Sequence, residues 1–132
     1  MLFRSPQCRA VFNRGRWTWA AAPAGSRAAL CPACRRIRQQ LPAGFVTLKG
    51  AFLAEHRDEV LHLVRRCEAA QKRSHALQRI IAVRAGREGL LVTTTDPHLA
   101  RRIGDALHSA YKGRLQYRYN KEDKLLRVSW SR

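Results

Sequence analysis

Acidic residues are scarce in this chain of 132 residues: nine Asp and Glu stand against 26 Lys and Arg, and the first acidic residue is Glu55. The formal net charge is +17, and an excess of one sign attracts polyanions. Lysine is also rare, since only five of the 26 cations are lysines. Arginine, which supplies the rest, has a planar fork that fits phosphate and stacks on bases. The composition therefore favours nucleic acid as a partner.

Long apolar runs and catalytic motifs are missing as well. No apolar stretch approaches the ~18 residues of a membrane-spanning helix, and no basic segment leads into the apolar core of a secretion signal. The chain contains no GxxxxGK(S/T) phosphate loop, no HExxH, no GxSxG and no paired carboxylates suited to a metal-dependent nuclease. We therefore expect a non-enzymatic, cytoplasmic protein that has neither a membrane nor a small-molecule substrate as its partner.

The N-terminal region permits a second interpretation, because Arg-rich segments without acids are also typical of mitochondrial transit peptides. Two tryptophans and a pair of cysteines in this region are typical of folded structure instead, namely Trp17, Trp19, Cys31 and Cys34. We therefore expect this region to be a folded part of the protein.

Two of the four cysteines, Cys31 and Cys34, form a CxxC motif. Two thiolates at this spacing can hold one Zn²⁺, and a second pair would complete a tetrahedral site. The second pair is incomplete here, since Cys8 is present but Ser5 stands three residues before it, and a hydroxyl is a poorer zinc ligand than a thiolate. We expect one degenerate zinc site with ligands Cys8, Cys31 and Cys34. Its fourth ligand is left open between water, His56, His62 and Cys67.

A thioredoxin-type redox pair is the alternative interpretation of the CxxC motif. Such a pair lies at the start of a helix inside a βαβ unit, and no strand is predicted before Cys31. Cys67 falls on the apolar stripe of a predicted helix, where a buried free thiol is the expected role.

The sequence pattern changes at residue 44, which divides the chain into two predicted domains, 1–44 and 45–132. The first is rich in Arg, Ala, Gly and Pro without long periodicity, as expected of a zinc-knuckle-like subdomain with connecting loops. The second begins with a short strand at 45–48 and then carries helical and alternating apolar patterns. These predict helices at about 52–72 and 97–112, and strands at 79–84, 90–95, 115–120 and 125–130. The fold class is therefore α+β, with a two-layer α-β-β-α-β-β domain and an antiparallel sheet.

Period-two alternation assigns the faces of the last two strands. The side chains predicted to face the helices are Leu115, Tyr117, Tyr119, Leu126, Val128 and Trp130. The opposite face is polar and cationic, which is typical of a solvated surface and is also compatible with an RNA platform. Trp17 and Trp19 either pack the knuckle or stack on bases. The predicted nucleic-acid contacts, around the knuckle and on the open face, are Arg14, Arg16, Arg35, Arg36, Arg38, Arg118 and Arg127.

Several segments together resemble a family of short bacterial zinc-knuckle proteins: Cys8-Arg-Ala-Val-Phe12, Gly15-Arg-Trp17-Thr-Trp19, Cys31-Pro-Ala-Cys34, and the stretch 42–48. That family is similar to the N-terminal region of the archaeal and eukaryotic export adaptor of the large ribosomal subunit, which is named after nonsense-mediated decay. The resemblance implies zinc knuckles, binding to the large ribosomal subunit and no catalysis. The family has a complete CxxC where this chain has Ser5-Pro6-Gln7-Cys8, so Ser5 departs from it.

These observations predict a non-enzymatic RNA-binding accessory factor that associates with the ribosome in translation, subunit maturation or stress. The alternative is a regulatory protein that binds DNA, or one whose Cys31 and Cys34 sense oxidant or metal. No helix-turn-helix supports the DNA alternative, because a hairpin separates the two predicted helices.

Overall fold

The structure is a computed structural model that describes residues 2–87 and 89–132. Helices occur together with two sheets, which confirms the predicted α+β class. The elements in chain order are β1 (Phe3–Arg4), β2 (Val11–Asn13), β3 (Arg16–Thr18), β4 (Arg27–Ala28), α1 (Pro32–Gln39), β5 (Gly44–Lys49), α2 (Ala51–Glu55), α3 (Arg57–Ser74), β6 (Ile80–Ala85), β7 (Gly89–Thr94), α4 (Pro97–Tyr111), β8 (Arg114–Asn120) and β9 (Leu125–Ser131).

The N-terminal region forms a small sheet of order β3-β2-β1-β4, followed by α1. Helix α1 starts where it does because Cys31 caps it with its sulfur and Pro32 fits the first turn. The helix ends at Gln40, whose left-handed conformation directs its amide back to the carbonyls of Arg36 and Ile37. Neither these short strands nor α1 was predicted, because elements of two to eight residues show no long periodicity.

The second sheet has the order β6-β7-β5-β9-β8. Strand β5 lies at its centre, antiparallel to β7 and parallel to β9, whereas the hairpins β6–β7 and β8–β9 are antiparallel. The predicted antiparallel sheet is therefore wrong at one pairing, and the sheet is mixed. The physical reason is the helical crossover α4 between β7 and β8, after which β8 runs in the same direction as β7. Its hairpin partner β9 therefore runs antiparallel to β7 and parallel to β5.

Helices α3 and α4 pack on one face of this sheet. Their buried side chains form one core with the inward residues of β5, β7 and β9. At Gly104 the helix approaches the sheet closely, because an added Cβ would lie 2.7 Å from Cγ1 of Val128. Trp130 is fully buried and donates its Nε1–H to the carbonyl of Lys112 at 2.7 Å. Asp96 caps α4 by accepting the amide of His98 at 2.7 Å.

Three details of residues 45–132 differ from prediction. The first predicted helix is interrupted at His56, so that α2 and α3 are separate. Tyr117 and Tyr119, predicted to face the helices, are 41% and 53% exposed on the edge strand β8, although Tyr117 does contact α4 through its hydrogen bond to Asp105. The Cys67 side chain contacts the core but is only partly buried.

Candidate metal centre and nucleic-acid interface

The structure brings together the three cysteines predicted as metal ligands. The Sγ atoms of Cys8, Cys31 and Cys34 all lie within 4.8 Å of one another, and those of Cys8 and Cys31 are 3.6 Å apart. A tetrahedral zinc ion with Zn–S bonds of about 2.3 Å needs sulfurs about 3.8 Å apart, so this spacing fits a metal. All three cysteines are free thiols. The cluster could therefore hold a metal ion.

Backbone hydrogen bonds and a tight turn hold the cysteine sulfurs close together. Cys31 precedes α1, where its sulfur accepts the amide of Cys34 at 3.4 Å, and the sulfur of Cys8 accepts the amide of Ala10 at 3.4 Å. A tight turn returns the chain between Ser5 and Ala10, with the amide of Ser5 donating to the carbonyl of Ala10 at 2.8 Å. Amide donors aimed at sulfur stabilise the thiolate, which is the form that binds metal.

Ser5 occupies the place next to the sulfurs, where the fourth ligand was expected. Its side chain is fully buried, and its Oγ accepts the amide of Cys31 at 3.3 Å. The other side chains considered as a fourth ligand, His56, His62 and Cys67, are not part of the close group of ligand atoms in the described residues.

The environment changes the acidity of the Cys8 and Cys34 thiols. Burial alone would raise the pKa of Cys8, but hydrogen bonds with Ser5 and the Ala10 amide, together with the charge of Arg79, lower that pKa to about 7. Burial raises the pKa of Cys34, opposed by Ser5 and Arg79 and supported by its hydrogen bond with Cys8. The cluster thus holds an acidic thiol beside a less acidic one.

Arg79, which sequence reasoning did not select, closes the cluster. It immediately precedes β6 and is only 5% exposed. One terminal nitrogen donates to Cys34 Sγ at 3.1 Å, and the other donates to Cys8 and Cys31 Sγ at 3.0 Å each. The only sequence signal was weak: a cation at the start of the otherwise apolar segment 80–83.

The knuckle packs against the segment that links α3 to β6. Leu77 packs against the buried cluster of Cys31, Ala33 and Cys34, and Trp19 donates its Nε1–H to the carbonyl of Lys72 at 2.6 Å. The Trp19 ring also lies beside the Arg79 guanidinium, with 5.6 Å between the guanidinium carbon and the ring centroid. Trp17 packs on Phe12 with ring centroids 5.3 Å apart. Both tryptophans therefore have packing contacts in the knuckle region.

The structure corrects the argument against a redox pair in one respect. Cys31 does stand at the start of a helix, and β4 does precede it. However, β4 belongs to the small sheet and β5 to the large one, so α1 does not connect two strands of one βαβ unit.

The open face of the large sheet carries the second group of candidate residues. Arg118 and Arg127 are directly opposite each other on β8 and β9, and the next pair on this face is Gln116 with Ser129. The Arg127 guanidinium carbon lies 4.5 Å from the centroid of the Phe45 ring on β5. None of the described side chains that alternation places on this face is acidic.

A groove of about 670 Å³ runs over these side chains, and its lining includes Thr47, Gln116, Arg118, Arg127 and Ser129. The groove presents hydroxyl and amide groups beside the two guanidinium groups. Such a surface can accept phosphate oxygens and base edges at the same time.

The other arginines predicted to contact nucleic acid lie on the β2–β3 hairpin and on α1. Arg14 and Arg16 are exposed on the β2–β3 hairpin, and Arg35, Arg36 and Arg38 are exposed on α1. Gln40, which follows α1, accepts a hydrogen bond at 3.3 Å from Arg84 on the edge strand β6. The end of α1 therefore lies beside the large sheet, whereas no such link is seen for the hairpin arginines among the described residues.

Comparison of the chain with protein-family models, with curated proteins and with solved structures found no match. The fold and the site therefore define a class only: an α+β protein with a three-cysteine cluster and a cationic sheet face. Within the described residues, no helix combines the length and the apolar character needed to cross a membrane.

Proposed function

We propose that this protein is a non-enzymatic, cytoplasmic RNA-binding accessory factor whose open sheet face binds single-stranded RNA. The observation that carries the proposal is the pair Arg118 and Arg127, directly opposite each other on an exposed sheet face without an acidic side chain among the described residues. Like charges in opposite positions destabilise a sheet. A bound polyanion removes this repulsion.

Stacking and charge both favour RNA as the polyanion. Arg127 already stacks on Phe45, so a base can join a planar layer, while Arg118 reaches phosphate from the neighbouring strand. The hydroxyl and amide groups of Ser129 and Gln116 form the next pair on this face and can contact base edges or a 2′-OH. An extended single strand exposes all of these groups, whereas a duplex hides its base faces.

The ribosome is the RNA source that we propose, through its large subunit. The support is the net charge of +17 and the additional exposed arginines on α1, which lengthen the contact beyond one sheet. A folded RNA particle can meet several surfaces of the protein together, which a short oligonucleotide cannot.

The deciding test compares retention on purified ribosomal subunits with retention on an equal mass of duplex DNA at physiological salt. We expect co-sedimentation with the large subunit and release from DNA, because nonspecific phosphate contacts weaken steeply with salt. Equal retention on both would reduce the protein to a general polyanion binder and would favour the DNA-binding alternative.

A variant test separates the contributing surfaces. Neutralising Arg35, Arg36 and Arg38 together should flatten the log–log salt dependence of single-stranded RNA binding by about 2 units if all three contact phosphate, at roughly 0.7 per contact. The double variant Arg118→Gln/Arg127→Gln should also lose base-dependent affinity. If neither variant changes RNA affinity, RNA binding by these surfaces is refuted.

We also propose that the metal suited to the cysteine cluster is one structural zinc ion. Three thiolates favour Zn²⁺ among the common divalent ions, and Ser5 or water would complete the coordination. Elemental analysis of protein purified without added metal tests this, with at most one zinc per chain expected. Absence of zinc, even after incubation with the ion and dialysis, would refute it.

A further inference from the structure

The Arg79 side chain contacts all three sulfurs of the cysteine cluster. Its two terminal nitrogens lie 3.0–3.1 Å from Cys8, Cys31 and Cys34, and its Nε donates to the carbonyl of Ala76 at 2.9 Å. One terminal nitrogen is shared by two sulfurs that are only 3.6 Å apart. The guanidinium group therefore spans the sulfur triangle instead of touching a single corner.

A buried guanidinium group needs an anion nearby, because removing an unpaired charge from water costs several kcal/mol. Arg79 is 5% exposed, and the carbonyl of Ala76 is neutral. The carboxylate of Glu68 lies in the same region but accepts the amide of Ile80, at 2.6 Å. The groups that can neutralise Arg79 by direct contact are the cysteines, as thiolates.

Three sulfurs contact one guanidinium group, so the charge of Arg79 bears directly on the charge of the whole cluster. In the loaded cluster, three thiolates balance one divalent cation together with the guanidinium. A four-cysteine site with zinc would instead carry two negative charges. Ser5 removes one of these charges because it replaces a thiolate, and Arg79 offsets the other because it is a cation beside the sulfurs.

We propose that Arg79 is the internal cation of this cluster and allows the knuckle to keep its fold without a bound metal. Zinc knuckles generally fold only when the ion gathers their ligands. Here Arg79 gathers the same three side chains from the neighbouring domain, and Trp19 with its hydrogen bond to Lys72 holds the two parts in place. Metal binding adds to this arrangement and does not create it.

The proposal is tested by amide hydrogen exchange of protein stripped with a strong chelator under reducing conditions. The amides of Ser5 and Ala29 report on the knuckle, since they bond to the carbonyls of Ala10 and Arg4. The amides of Val46 and Val92 report on the large sheet. We expect stripped wild-type protein to retain slow exchange at all four amides.

The variant Arg79→Met removes the cation and the donors. After stripping, its knuckle amides should exchange at least about tenfold faster while Val46 and Val92 stay protected, and added zinc should restore the protection. Arg79→Lys keeps the charge but cannot bridge three sulfurs, so partial loss is expected. Arg73→Met, in an exposed position near the end of α3, is the matched control and should change nothing.

Two results would overturn the proposal. One is loss of knuckle protection in stripped wild-type protein, which would show that a metal is required. This outcome needs no variant and is decisive even if Arg79→Met fails to fold. The other is unchanged protection in stripped Arg79→Met, which would show that the guanidinium does not support the knuckle. Neither result depends on RNA binding.

Discussion

Replacing Arg118 with Gln should stabilise the protein and weaken its binding to RNA. Arg118 and Arg127 are paired across β8 and β9, and Arg127 is held over the Phe45 ring, so its charge stays on this face. Among the described residues no hydrogen bond or ion pair compensates Arg118. Relief of the repulsion between opposite positions corresponds to about 0.2–1 kcal/mol.

The expected gain is measured by urea unfolding, because urea does not screen charge as guanidinium chloride does. At low ionic strength, Arg118→Gln should raise the free energy of unfolding by a few tenths to about 1 kcal/mol. In about 1 M salt, where the Debye length is near 3 Å, the gain should nearly vanish. In the same variant, the salt dependence of RNA binding should flatten by about 0.7 if Arg118 contacts one phosphate.

Arg102→Gln is the matched control, since it removes the same net charge from an exposed position on α4. It reports the general effect of lowering a charge of +17 and should produce a smaller gain with no change in the RNA salt slope. Destabilisation by Arg118→Gln, or a gain no larger than that of Arg102→Gln, would refute the reasoning that these two arginines repel each other in the free protein.

Three further predictions concern other parts of the molecule. Ser5→Cys should increase zinc retention against a chelator because a fourth thiolate joins the sulfurs, with Ser74→Cys as an exposed control; equal retention in both would argue against Ser5 being at the fourth position. The pKa of Tyr117 is raised to about 12 by partial burial, by the hydrogen bond to Asp105 and by the charge of that carboxylate. The contact should therefore stabilise the fold below about pH 10 and lose this effect as the pH rises through 12. In ultraviolet titration, Asp105→Asn should lower the pKa of Tyr117, and an unchanged value would contradict this cause. Ile103→Ala, at a fully buried core position, should cost about 2–5 kcal/mol in urea unfolding, and a loss below about 1 kcal/mol would contradict its place in the core.

Elements with long apolar periodicity could be predicted from the sequence. Helix α4 shows this best, since Asp96 and Pro97 start it and Leu99, Ile103 and Leu107 form the buried stripe. The inward positions of β9 follow from simple alternation in the same way. Periodicity reports only which face a residue occupies in its own element. It therefore carries no information on the pairing between β5 and β9, which joins segments about 80 residues apart.

The candidate site could likewise be predicted from the sequence only in part. The CxxC spacing and Cys8 identified three candidate ligands, which the structure brings together, because thiolate chemistry restricts which residues bind metal. Arg79 could not be identified, since its role arises from contacts across 45 to 71 positions of sequence and from burial that its residue type disfavours. In a chain with so many arginines, nothing in the sequence marks one of them as different from the others.

The arginines of this protein therefore act in two physically opposite ways. Arg79 is buried and donates hydrogen bonds to three sulfurs within the chain, so its removal should destabilise the structure. Arg118 is exposed opposite another arginine, so its removal should raise the free energy of unfolding. Residues that lower stability where they stand are retained at sites of function more readily than elsewhere, because binding compensates the repulsion only when the partner is present. The opposite signs expected for Arg79→Met and Arg118→Gln therefore separate a structural cation from a destabilising surface cation by stability measurements alone, without reference to any binding partner.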